Sequence, residues 1–152
     1  MMKKILLIFS ISLAIIGCDA LTGKEVARLP INETSNINLN MKEATLFLKK
    51  DEKVSFWTET DIEYENDVAL VYTIELWKDS IKLGGVQLDA LETNPTILEI
   101  KSSKGNKTSW SYTGKMDQYV VEEDGEYTYK AVLSSSDNPT LKINKAELVL
   151  KK

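Results

Sequence analysis

A chain of 152 residues with 28% charged and 43% hydrophobic side chains, 7 Gly, 3 Pro, one Cys and no His has the composition of one globular domain. Without His, the commonest general base and transition-metal ligand is missing, and with it every Ser-His-Asp or Cys-His site; a single Cys forbids an internal disulfide. The 19 basic and 23 acidic residues give a formal charge of -4, which offers nothing to draw nucleic acid or anionic lipid.

The chain opens on Met1, Met2, Lys3 and Lys4, and from Ile5 to Ile16 every residue is apolar except Ser10 and Ser12. A basic start and a twelve-residue apolar run outline an export signal, because a membrane-spanning helix needs about 20 apolar residues. The run ends in Ile15, Ile16, Gly17, Cys18, which resembles the lipobox of bacterial lipoproteins. In that family the Cys thiol receives a diacylglycerol and the chain is cut just before it. The resemblance therefore implies removal of residues 1–17, lipidation of Cys18, and a location in the cell envelope on the inner or outer membrane. A plain signal peptide with a Cys near its end is the competing reading. Cleavage takes Lys3 and Lys4 from the 19 basic residues, leaving 17 against 23 acidic ones and a formal charge of -6. Attachment must then come from lipid, and two acyl chains suffice where one does not. Asp19 stands where enterobacterial lipoproteins carry an inner-membrane retention signal, a rule that does not extend to all bacteria, so the choice of membrane stays open.

Residues 18–40 are polar, hold Pro30 and show no sustained period, as expected either of a tether whose end, at Ile37 and Leu39, begins a first pairing or of a segment disordered throughout. From 41 to 152 the period is two, the strand period, with no helical stripe. Strands are predicted at 44–48, 54–62, 68–76, 81–88, 96–101, 107–112, 116–121, 126–133 and 141–150. The second and third read as a hairpin, and Gly84 and Gly85 mark a bulge or bend in the fourth. Eight or nine short strands describe an all-β fold, an antiparallel β-sandwich of jelly-roll-like order. The run from Asp124 to Val132, a Gly turn before an aromatic strand, resembles pre-peptidase C-terminal and related CUB-like or galactose-binding-like sandwiches over one strand. It carries no functional residues across.

Two constellations stand out along these strands. Glu59, Asp61, Glu63, Glu65 and Asp67 occupy alternate positions, about 6.6 Å apart along one face, and such crowding asks for a cation. Calcium suits oxygen ligands, and Asp61, Glu63 and Asp67 are its candidate ligands; a solvated strand end is the plainer account. Trp57 and Trp77 each lie opposite the apolar face of their strand, beside Glu59 and Glu75. In a hairpin the two indoles emerge together, an aromatic pair framed by carboxylates that could grip a glycan or an envelope protein. Trp110 and Tyr112 read as core. The sequence thus points to a lipid-anchored, non-catalytic binding or structural module facing the periplasm or exterior. A calcium-stabilised domain and a carboxylate-dependent glycan hydrolase are the alternatives.

Overall fold

Strands form wherever the two-residue alternation runs. The computed structural model describes residues 19–36 and 38–152; the export signal, Cys18 and Ile37 lie outside the described residues. A single helical turn, α1 (Asp19–Thr22), leads into β1 (Glu25–Pro30), β2 (Lys42–Leu48), β3 (Lys53–Glu65), β4 (Leu70–Lys78) and β5 (Ile81–Asp89). There follow β6 (Thr96–Lys104), β7 (Lys107–Val120), β8 (Gly125–Ser135) and β9 (Lys142–Lys151). They make two antiparallel sheets, β1-β9-β3-β7-β6 and β2-β8-β4-β5. Every connection crosses from one sheet to the other except the hairpins β4–β5 and β6–β7. This is jelly-roll-like order, and the expected all-β sandwich holds.

The core lies between the sheets. Val54, Phe56, Ile62, Leu148 and Leu150 come from one inner face, Tyr72, Ile74, Tyr129, Ala131 and Leu133 from the other. Each large side chain buried there stabilises the fold by roughly 1.5–3 kcal/mol. Thr58 and Thr60 also face inward, and their hydroxyls bond to each other at 2.7 Å, with Thr58 also bonded to the Tyr72 hydroxyl at 3.2 Å. Buried polar atoms need such partners.

Three expectations change. The predicted tether contains a strand: β1 pairs with β9, and Leu29 and Ile31 are buried, so the domain begins well before residue 41. Pro30 is tolerated because β1 is an edge strand. No strand forms beside Leu39, which is exposed. The predicted strands 107–112 and 116–121 are one, β7, interrupted by a bulge in which Met116 is the extra residue between Lys115, opposite Trp57, and Asp117, opposite Phe56. Finally, β3 and β4 are not a hairpin. Each is flanked on both sides by other strands of its own sheet, β3 by β7 and β9, β4 by β8 and β5.

Candidate functional site

That last change separates the tryptophans. Trp57 is on the outer face of the five-stranded sheet and Trp77 on the outer face of the four-stranded one, so they lie on opposite sides of the sandwich. Trp57 is only 2% exposed, packed beside its cross-strand partner Val149, with the Lys151 ammonium 4.6 Å from the ring centre and its indole N–H unpartnered. Trp77 is half-buried. Its indole N–H donates to Glu75 at 3.1 Å, Lys130 sits 4.6 Å over the ring, and Lys82 donates to Glu75 at 2.7 Å. The expected aromatic pair does not assemble.

The acidic ladder is met by basic side chains. Arg28, on β1, reaches over Val149 to place two guanidinium nitrogens on Glu59 at 2.8 and 2.9 Å, while also donating to Glu25 and Glu147. Lys145 adds a second cation to Glu59, Asn144 donates to Asp61 at 3.3 Å, and Lys142 lies 3.4 Å from Glu63. The Arg28 guanidinium, aided by Lys145, holds the Glu59 carboxyl at about 2, well below the usual carboxylate range. Among the described residues no three carboxylates converge as a metal would need, and Asp61, Glu63 and Asp67 are not brought together.

A different site opens where both sheets end in free edges. In one sheet the last strand is β5; in the other, β6 pairs with β7 only as far as Gly114, so the rest of β7 carries no further strand. Between these edges lies a cleft of about 420 Å³. Phe56, Ile74 and Tyr129 close its buried end, Leu76 and Tyr119 line its middle, and Leu83 to Val86, Asp117, Gln118 and Glu122 form its rim. The cause is local. Gly84 takes the inward-facing position opposite Leu76, where a Cβ would meet nothing within 4 Å, so the side chain that would fill the space between the sheets is missing. Across the cleft the β7 bulge brings Asp117, rather than an apolar residue, to the position opposite Phe56.

Compared with known proteins, the chain matches no family model, no curated protein and no solved structure.

The cleft has the volume of a small-molecule site, about 300–1,000 Å³, and mostly apolar walls. One residue at its buried end, Tyr129, carries an unsatisfied hydroxyl, and that oxygen has no surface open to the cleft. The buried tyrosines Tyr72, Tyr112 and Tyr127 bond their hydroxyls to Thr58, the Ala90 carbonyl and the Glu123 carbonyl. Tyr129, equally buried, has no partner for its hydroxyl. Leaving such a group unpaired costs about 1–3 kcal/mol. Burial pushes this phenol above the usual tyrosine range, so it is a hydroxyl throughout the neutral region. Of these residues the sequence marked only Gly84 and Gly85, and the bulge expected there is present, with Leu83 as the extra residue.

Proposed function

We propose that the chain is a lipid-anchored, non-catalytic binding module of a bacterial cell envelope, and that it binds an apolar ligand in the cleft between β5 and β7. The lipobox-like end of the export signal supports the anchor at Cys18. The observation that supports the binding role is the cleft itself, about 420 Å³ with mostly apolar walls and kept open by the missing side chain at Gly84.

Both parts are testable in the full-length protein. N-phenyl-1-naphthylamine, a neutral dye that brightens in apolar surroundings, should fluoresce strongly with the wild type and several-fold less with Gly84→Leu. The Gly84 backbone is not left-handed and the site is open, so the new side chain fills the cleft without strain. Equal fluorescence from the two proteins, with melting temperatures within a few degrees of each other, would rule out binding in the cleft. For the anchor, cells fed an alkyne analogue of palmitate should label the wild type and leave Cys18→Ser unlabelled and soluble. Labelling of the Ser variant would discard the lipid assignment.

A further inference from the structure

We infer that the ligand of this cleft is an extended polypeptide segment of a partner, which adds a short strand to the free end of β7, in line with β6, and lays alternate apolar side chains over the uncovered inner face of β5. The inference rests on the cleft being a binding site and adds the chemistry of what enters it.

The two sheets stop at different places. At this end of the sandwich the five-stranded sheet ends at β7, because β6 leaves it at Gly114, while the four-stranded sheet runs on to β5. Inner-face residues of β4 are therefore covered and those of β5 are not: Ile74 is 1% exposed, whereas its partner Val86 is 37% and the nearby Leu83 51% exposed. The lane that a further strand would take beside β7 runs through the cleft these residues line.

The free edge of β7 has the matching chemistry. Lys115 turns its N–H and C=O toward the loop before β6, donating to the Pro95 carbonyl at 3.0 Å and accepting from the Asn94 N–H at 2.8 Å. Val121 turns both of its own the other way, donating to the Glu52 carbonyl at 2.9 Å and accepting from the Asp51 N–H at 2.7 Å. Between them the strand alternation, shifted once by the bulge at Met116, points the main-chain groups of Gln118 and Val120 away from β3 and into the vacant lane. The Gln118 N–H donates to the Asp117 carboxylate at 2.8 Å; the Gln118 C=O and both groups of Val120 meet no partner among the described residues. A bulge and an inward-turned charge keep a free edge from pairing indiscriminately, and Asp117 supplies the charge together with a stand-in acceptor. An entering strand provides a carbonyl in its place. Main-chain donors and acceptors repeating about every 6.8 Å match another backbone and not a small apolar molecule. Leu76, Leu83, Val86 and Tyr119 receive the inward side chains of that backbone, in the room left by Gly84.

The probes are three acetylated and amidated hexapeptides that alternate threonine with valine, leucine or phenylalanine, titrated into the full-length protein and followed by amide nuclear magnetic resonance. At least one should bind and slow hydrogen exchange at the Val120 N–H by about tenfold or more. Val120→Pro removes that donor without taking a bond from the sheet, because the N–H faces the vacant lane. It should weaken the same peptide about tenfold while leaving the fluorescence of N-phenyl-1-naphthylamine at the wild-type level. Peptide binding unaltered by Val120→Pro overturns the inference, as does unchanged exchange at Val120 in the wild type; the exchange measurement decides alone if the proline variant does not fold. Self-association of the wild type that disappears with Val120→Pro gives the lane to a second copy and overturns the outside partner. If none of the peptides binds while the dye still distinguishes the wild type from Gly84→Leu, the cleft stands as a site and the polypeptide ligand is rejected. If the dye fails as well, the binding role falls with it.

Discussion

Arg28 shows how much can turn on one side chain in an edge strand. Its guanidinium bridges carboxylates on β1, β9 and β3, and so ties the outermost strand across its neighbour to the middle of the sheet. Charge-assisted bonds of this kind, partly shielded from water, are worth more than an exposed pair. Removing the cation leaves Glu59 and Glu147 facing each other across strands, so Arg28→Ala is expected to cost about 2 kcal/mol at neutral pH. The same cluster sets a pH dependence. Glu59 has a folded-state value near 2, below the value of about 4.3 for an unfolded glutamate, so its contribution is complete above pH 5 and is lost as pH falls toward 2. Urea unfolding at pH 7 and pH 3 should therefore show the gap between wild type and Arg28→Ala narrowing in acid. A constant gap would mean that Glu59 is not the titrating partner.

The tryptophans separate at the same scale. Sequence alternation correctly put both on the faces opposite the core, yet alternation says nothing about what else covers an outer face. Trp57 is buried and Trp77 half-buried. Thermal unfolding of single variants should accordingly show Trp57→Ala losing about 3 kcal/mol and Trp77→Ala no more than about 1. Equal losses would contradict the difference in burial.

Among the elements, β7 is the one whose details matter most for the site. Its bulge turns Asp117 inward, and its pairing with β6 stops at Gly114. That glycine is required by a close approach: a Cβ there would lie 2.3–2.6 Å from the Thr93 side chain, which crosses over the strand. Gly114→Ala should consequently destabilise the protein by about 1–3 kcal/mol, measured by denaturant unfolding, whereas Gly84→Ala should be neutral or slightly stabilising. A neutral Gly114→Ala would show that the loop before β6 moves aside freely. Eight of the nine strands were legible, through a period of two where burial on one face imposes it, as in β3, β4, β8 and β9, and through the turns that bound the largely exposed β5 and β6. The exception, β1, has six residues with two charges and a proline among them, too short and too mixed for a period to show.

For the whole molecule, alternation identifies the two faces of a strand and is silent on which sheet the strand joins. The four residues from Asn66 to Ala69 are short enough for a hairpin, and here they arch between sheets instead. The aromatic pair depended on that one choice and disappeared with it. The cleft was hidden for a related reason: its volume arises from residues on five strands of two sheets, and its only local signature is a missing side chain at Gly84. The Tyr129 hydroxyl could not be seen as unsatisfied until its neighbours were known.

The pairing of β1 also sets how far the domain can stand from a bilayer. With Cys18 as the lipid-bearing residue, only six residues separate it from Glu25, a leash of at most about 25 Å, where a free segment to residue 40 would allow about 75 Å. Glu25, Lys151, Ser55 and Gln118 form one transverse row of the five-stranded sheet, so the rim of the cleft stands about 14 Å from the start of β1. Under the proposed anchor at Cys18, the mouth of the cleft lies at the same end of the sandwich as the lipid attachment, within reach of the membrane surface.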